Sequence, residues 1–176
     1  VDTLGESAIQ TILDDPQVIK KIPGLKQDVG ENLVKVLQEN QGFEQVVVAM
    51  AKYGVGLKMS QKISSKYKEE ALHVLKQDPY QFVFDIEGFG FQTADQIAMM
   101  EGLSETHGSR IRAGCVYVCQ QSIQDGHVYL PIQEVVDRAL ELLHSQDIHE
   151  PDILDALQQL DMEKKLIIQE GKVYLP

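Results

Sequence analysis

Apolar residues recur at intervals of three and four along the first part of the chain, which is the spacing of one face of a helix. They fall into three runs: Leu33, Val34 and Leu37; Phe43, Val46, Val47 and Met50; and Ala71, Leu72 and Leu75. Glycine-bearing turns lie before the first run, between the second and third runs, and after the third. The pattern predicts an all-helical first region made of short helices joined by tight turns.

The order of elements changes after a polar, glycine-bearing stretch at 102–109, and we expect a domain boundary there. The second pattern predicts a helix at 110–124, a turn at Asp125-Gly126, a β-type run at 127–130, helices at 131–143 and 151–163, and a β-hairpin of 166–168 with 173–175. This is the element order of a winged helix. The expected domains are therefore 1–105, with helical hairpins, and 106–176, winged-helix-like and α+β.

The first region contains an internal repeat. In each of two sets an alanine lies eight residues before a proline, and two apolar residues lie seven and four before it. Ala8, Ile9, Ile12 and Pro16 precede Ile22-Pro23-Gly24-Leu25, and Ala71, Leu72, Leu75 and Pro79 precede Ile86-Glu87-Gly88-Phe89. The turn pattern occurs three times, as Gly24-Leu25-Lys26, Gly54-Val55-Gly56 and Gly88-Phe89-Gly90, and a small residue follows each at Gly30, Ser60 and Ala94. The first set lacks its second glycine, so we expect it to be degenerate.

The second turn lies in a basic stretch of an acidic chain whose net charge is −11. Between Glu44 and Glu69 there is no acidic residue, whereas five lysines occur: Lys52, Lys58, Lys62, Lys66 and Lys68. A Gly-x-Gly turn lets backbone amides approach a phosphate, and lysines four apart share a helix face. The predicted DNA contacts are Gly54, Val55, Gly56, Lys58, Ser60, Lys62 and Lys66; the alternative is a merely solvated lysine face.

The third turn matches the pattern best but has four carboxylates near it: Asp85, Glu87, Asp95 and Glu101. These charges disfavour a phosphate, and Phe89 and Phe91 are expected to pack rather than to stack on bases. Secondary candidates for DNA contact are Gly24, Lys26, Gly88, Gly90, Gln92, Thr93, Arg110 and Arg112. The two arginines are included because they could extend a basic face.

Several chemistries find no support in the sequence. The glycines complete neither a dinucleotide fingerprint nor a Walker loop, so we expect no ATP site and no catalysis in this chain. Cys115 and Cys119 fit no zinc spacing, and we expect ordinary buried thiols and no metal. No apolar run reaches the length of a membrane span and no signal sequence opens the chain, which predicts a soluble, cytoplasmic protein.

Two further possibilities concern the second region. The 151–163 helix carries Asp152, Asp155, Asp161 and Glu163, so it suits a protein surface better than a DNA groove. The segment Asp125-Gly126-His127-Val128 resembles the aspartate context of helix-hairpin-helix DNA glycosylases, although no catalytic lysine occupies the third turn. A simple Asp-Gly turn is the favoured interpretation.

The hairpin repeats, GFGFQTADQIA at 88–98, RIRAG at 110–114 and DGHVYLP at 125–131 together resemble the N-terminal region of bacterial RecD-like superfamily 1 DNA helicases. The resemblance covers essentially the whole chain. It implies a fragment that precedes an ATP-driven motor moving 5′ to 3′ on single-stranded DNA, with ATP and Mg²⁺ bound only by that motor. Roles in DNA repair and recombination are part of the same expectation.

The leading hypothesis is a non-catalytic DNA-binding accessory region that contacts the nucleic-acid backbone, single-stranded or forked, without sequence specificity. The alternative is a protein-interaction scaffold that docks against the helicase motor or another repair protein. The expected partners are therefore DNA and the motor domains of the same polypeptide.

Overall fold

The computed structural model describes residues 11–12, 14–21 and 23–176, with the side chains of 39 and 41 left out of the description. Ala8, Ile9 and Ile22 of the predicted repeat lie outside these residues. The chain divides into two compact units between Leu72 and His73. Each unit is described on its own below.

The first unit is helical. A 3-10 helix spans Pro16–Lys21, α1 spans Gln27–Ala51, α2 spans Leu57–Tyr67, and a single 3-10 turn spans Lys68–Glu70. Helix α1 packs against α2, and Val46, Met50 and Ile63 form the buried centre of the unit. The apolar runs at 33–37 and 43–50, predicted to be helical, both belong to the one helix α1. The residues between them include no proline, and the single Gly42 does not break the helix.

The α-helix that follows, α3, spans Ala71–Gln77 and begins at the end of the first unit. The second unit continues with α4 at Gln81–Asp85, α5 at Phe91–Met100, α6 at Gly108–Gln124, α7 at Ile132–Leu143 and α8 at Glu150–Met162. Helix α6 is central, because α7 and α8 both pack on it and α5 also contacts it. Helix–helix packing therefore builds most of this unit's core.

A small antiparallel sheet completes the second unit. Its strands are β1 at Leu130–Pro131, β2 at Ile167–Gln169 and β3 at Lys172–Tyr174, in the order β1-β3-β2. Leu130 and Ile168 both pair with Val173. Leu130 and Val173 are 2% and 1% exposed, so this row covers the helical core. The predicted hairpin near the C-terminus is thus confirmed, with bounds shifted by about one residue.

The third predicted turn lies in the second unit, where its helix α5 contacts α6. The contacts therefore divide the chain at a different place from residue 105, where the change of composition led us to expect a boundary. The assignment of 1–105 to hairpin repeats and 106–176 to a winged-helix-like domain stays a prediction. Among the described residues, no helix is long and apolar enough to cross a membrane.

Candidate nucleic-acid interface

The three predicted turns share one backbone conformation. Gly24, Gly54 and Gly88 have positive φ values of 83°, 73° and 84°. Two residues later the chain is extended at the N-cap of the next helix, with φ of −68° at Lys26, −76° at Gly56 and −86° at Gly90. The first position favours glycine, since other residues adopt positive φ at a cost.

The N-cap position has no such requirement, because any residue adopts an extended backbone. Lys26 therefore occupies the place of Gly56 and Gly90 without distorting its turn. The first set departs from the pattern in sequence, but its backbone conformation is that of the other two turns. What Lys26 changes is the side chain at this position, which becomes an exposed cation.

A buried small residue follows each turn. The backbone N–H groups of Gly30, Ser60 and Ala94 donate to the carbonyl of the N-cap residue four positions earlier, at 2.9, 3.0 and 3.2 Å. Ser60 and Ala94 are fully buried, and the Ser60 hydroxyl also donates to the Gly56 carbonyl at 3.1 Å. At Gly30 an added Cβ would lie 3.4 Å from both Ile19 and Leu25 side chains. Small residues thus allow the close packing of each hairpin helix.

None of the helices that follow these turns has a side-chain N-cap. Lys26, Gly56 and Gly90 each make no capping hydrogen bond, whereas His107 accepts from the Ser109 N–H and His149 forms a capping box with Asp152. The first N–H groups of an α-helix have no partner within the helix. At the hairpins these donors are therefore not occupied by a capping side chain, which is favourable for binding an anion.

The second hairpin combines such a terminus with a lysine surface, and this is the site that the sequence predicted. Ser60 and Ile63 are the buried residues of α2. The five lysines of the basic stretch are all exposed: Lys52, Lys58, Lys62, Lys66 and Lys68. Gly54 and Gly56 are exposed as well, and an added Cβ at either would meet nothing within 4 Å. The turn is therefore open to a ligand, and Val55 beside it is half-buried.

The third hairpin has a different electrostatic setting. Its carboxylate Asp95 accepts two hydrogen bonds from Arg110, at 2.8 and 3.2 Å, and one from the Tyr80 hydroxyl at 2.6 Å. The charge of Asp95 is thus balanced inside the unit. Asp85, Glu87 and Glu101 remain at the surface, so the setting is less acidic than the sequence indicates but not basic.

The aromatic residues of this hairpin pack as predicted. Phe89 and Phe91 are 5% and 2% exposed. Phe89 meets Phe82 edge-on at 5.3 Å between ring centroids, and Phe91 stacks with Tyr80 at 6.2 Å. Both rings belong to the core and present no face to a nucleobase.

Arg110 is a structural residue of the second unit. It is 6% exposed, and its Nη1 donates to the carbonyls of Glu105 and Leu143, each at 3.1 Å. Burial acts to lower the pKa of Arg110, but the hydrogen bonds and charge of Asp95 outweigh it and raise the pKa. Its donors are used inside the protein, so the expected contribution of Arg110 to an exposed basic face has no support in the geometry.

Arg112 also binds partners within the protein. Its Nη1 contacts Glu163 at 2.7 Å, and its guanidinium lies 5.7 Å from the centre of the Phe84 ring. Lys165 lies over the same ring at 4.2 Å and pairs with Glu163 at 3.4 Å. This cluster joins residues far apart in the chain and has no local sequence signal. The remaining secondary candidates differ in exposure: Gln92, Gly88 and Gly90 are exposed, and Thr93 is half-buried.

Three acids in or directly after α8 have structural roles. Asp152 accepts from the His149 N–H at 2.8 Å, Asp161 accepts from the Ile168 N–H at 2.9 Å, and Glu163 binds Arg112. Asp155 remains exposed. The negative charge that argued against groove binding is therefore partly committed to holding the helix and the sheet in place.

The glycosylase-like segment forms a helix-ending turn. Gly126 has φ of +91°, and the His127 N–H donates back to the Ser122 carbonyl at 3.0 Å. These bonds complete the C-terminus of α6, which agrees with the simple turn interpretation. Within the part of the chain that the structure describes, no group of three or more His, Cys, Asp or Glu could hold a metal.

Glycine turns of one conformation, each followed by a small buried residue four positions after the N-cap, are the features of a helix-hairpin-helix domain. A sequence model of the ATP-dependent RecD2 DNA helicase HHH domain matches residues 39–129, just over half of the chain, and the chain belongs to this family. The match includes the second and third hairpins. A curated relative, the ATP-dependent RecD2 DNA helicase of Deinococcus radiodurans, is 29% identical over 131 residues, or 73% of this chain. The chain spans 18% of the length of that relative.

Proposed function

We propose that this chain is a non-catalytic DNA-binding accessory region of a RecD-like helicase. It holds the phosphate backbone through the second hairpin and reads no base sequence there. The observation that carries the proposal is the joint exposure of the Gly54–Gly56 turn and of Lys58, Lys62 and Lys66 on the helix that begins at this turn. Lysines and backbone N–H groups are the usual phosphate ligands of proteins that bind DNA without sequence specificity.

The same proposal extends to the architecture and to the full protein. The three turns form a tandem helix-hairpin-helix array, and the segment from α6 to β3 is a winged-helix-like domain. The parent protein is a bacterial, cytoplasmic 5′-to-3′ helicase of DNA repair and recombination, whose motor domains bind ATP and Mg²⁺. The name of the relative, an ATP-dependent DNA helicase, supports this assignment.

The first hairpin is a secondary contact in this proposal. Its turn has the same backbone as the second, and Lys26 places a cation at the N-cap where the other turns have glycine. Arg110 has no part in it, since its donors bind internal acceptors.

Fluorescence anisotropy of the 176-residue chain with labelled single-stranded and forked DNA tests the proposal. The double variant Lys58→Glu/Lys62→Glu should weaken binding at least about tenfold at low salt and lower the dependence of log Kd on log salt. The matched control is Lys35→Glu/Lys76→Glu, which changes the net charge equally at two exposed lysines outside the hairpin. Equal losses in both variants, or no binding by the unmodified chain at low salt, would contradict the proposal.

The alternative function is a scaffold that docks on the helicase motor or on another repair protein. It is supported by Leu154 and Met162 on α8, which are 40% and 74% exposed, and by the net charge of −11. A pull-down with the motor region of a RecD-like helicase should then survive high salt and be lost in Leu154→Glu/Met162→Glu. The control is Gln158→Glu, at an exposed neighbour on the same helix. If this variant still binds the motor region, the loss in the double variant comes from the apolar surface and not from added charge.

A further inference from the structure

The outer face of the three-stranded sheet carries a row of apolar side chains. Leu130 and Val173 point into the core, so the residues next to them along the strands point outward. Ile167 pairs with Tyr174, and the ring of Tyr129 lies 5.7 Å from the ring of Tyr174. Tyr129, which directly precedes β1, therefore forms one row with Tyr174 on β3 and Ile167 on β2, on the outer face of the sheet.

This row is open to solvent and has a cation beside it. Tyr129 and Ile167 are 42% and 40% exposed, and Tyr174 is half-buried. The ammonium group of Lys172 lies 4.6 Å from the centre of the Tyr129 ring. We name these four residues, Tyr129, Ile167, Lys172 and Tyr174, the sheet platform.

We propose that the sheet platform stacks an unpaired base of single-stranded nucleic acid, with Lys172 binding the adjacent phosphate. An exposed sheet face with aromatic residues and a neighbouring cation offers a π surface and charge neutralisation together, the combination that single-stranded nucleic acid needs. Lys172 is a single ammonium on a flexible stem, so it can leave the Tyr129 ring for a phosphate when a base takes that face.

The choice of a nucleic acid, rather than a protein, as the occupant rests on the proposed function of the chain. The two sites nevertheless differ in what they recognise. The second hairpin offers lysines and amides, which bind phosphates whether or not a base is attached. The sheet platform offers tyrosine rings, which require the base itself. An oligonucleotide without bases therefore separates the two contributions.

The experiment compares two labelled 12-mers, oligothymidylate and an abasic oligomer with the same phosphates, in anisotropy titrations of the 176-residue chain at low salt. The unmodified chain should bind oligothymidylate about fivefold or more tightly than the abasic oligomer, as expected for stacking of one base. Tyr129→Leu should remove this preference and leave the affinity for the abasic oligomer unchanged. Tyr129→Phe, which keeps the ring, should retain the preference.

Cross-linking gives a second measurement that does not depend on affinity differences. Oligothymidylate with a single 5-iododeoxyuridine should cross-link on irradiation to Tyr129 or Tyr174, as mapped by mass spectrometry. Equal affinity of the unmodified chain for both oligomers would overturn the sheet platform, as would a preference that survives Tyr129→Leu and Tyr174→Leu. The affinity of Lys58→Glu/Lys62→Glu for the abasic oligomer tests the hairpin alone, because that oligomer has no base to stack. An unchanged affinity would contradict the proposed function of the hairpin without bearing on the sheet platform.

Discussion

Arg110 forms a two-pronged salt bridge with Asp95, with Nε 2.8 Å from Oδ1 and Nη2 3.2 Å from Oδ2. This pair joins α5, the helix of the third hairpin, to α6. The remaining nitrogen, Nη1, reaches the Leu143 carbonyl at the C-terminus of α7. One guanidinium thus connects three helices, and the carboxylate that made the third hairpin look unfavourable for DNA is its main partner.

The Arg110–Asp95 pair should be important for the stability of the second unit. Arg110→Met leaves Asp95 partly buried without its counter-charge and removes a donor from two carbonyls. We expect a loss of about 3–5 kcal/mol in the free energy of unfolding, the usual cost of breaking a buried pair. Urea denaturation followed by circular dichroism measures it.

Arg112→Met is the matched control for this prediction. Arg112 lies on the same helix, and its salt bridge with Glu163 is more exposed, at 16% and 39% for the two side chains. Arg112→Met should lower the free energy of unfolding by no more than about 1 kcal/mol. Similar losses in the free energy of unfolding for the two variants would show that burial does not determine how much the Arg110–Asp95 pair stabilises the unit.

The hairpin turns make a prediction about their two glycines. Gly54→Ala forces a Cβ into a backbone with φ of +73°, and should lower the free energy of unfolding by about 1–2 kcal/mol. Gly56→Ala should change it by no more than about 0.5 kcal/mol, since φ is −76° there and the added methyl meets no atom within 4 Å. Thermal denaturation of both variants measures the difference; equal effects would mean that φ at Gly54 does not control the turn.

The turns could be predicted from the sequence because their determinants are local. A glycine at positive φ, an extended N-cap and a small residue four positions later all fall within seven residues, as in Gly54 to Ser60. The effect of Lys26 on the turn could not be predicted, because the repeat pattern does not say which of its glycines needs a positive φ. Only the backbone angles distinguish the position that needs glycine, at positive φ, from the N-cap two residues later, where φ is negative.

The longer-range features could not be predicted in this way. Arg110 looked like a surface cation because its partners, Asp95 and Leu143, lie 15 and 33 positions away. The sheet platform was missed for the same reason, since Tyr129 and Tyr174 become neighbours only through the pairing of β1 with β3. The lysine stretch was found because like charges close together in the chain, three of them spaced by four residues on α2, are visible in the sequence.

Gly114 makes a prediction about the packing of α6 against α7. An added Cβ would lie 3.0 Å from Cδ2 and 3.4 Å from Cγ of Leu143, closer than ordinary contact. Gly114→Val should lower the free energy of unfolding by about 1–3 kcal/mol through overpacking. Combined with Leu143→Ala, the loss should be smaller than the sum of the two single losses, because the shortened side chain makes room. If the loss in the double variant, measured by urea denaturation, equals the sum of the two single losses, the strain does not come from contact with Leu143.

The cysteines make the last prediction, which concerns pH. Cys115 and Cys119 are free and buried, and burial raises the pKa of each thiol to about 12 from an ordinary value of 9.0. The reactive species is the thiolate, so neither thiol should react with a disulfide reagent at pH 8 in the folded chain, whereas both should react in urea. Since the folded-state pKa is the higher one, the contribution to stability is complete below pH 9 and is lost as the pH rises toward 12. Cys115→Ala/Cys119→Ala should therefore lose less stability than the unmodified chain between pH 9 and 11, and parallel curves for the two proteins would contradict the raised pKa values.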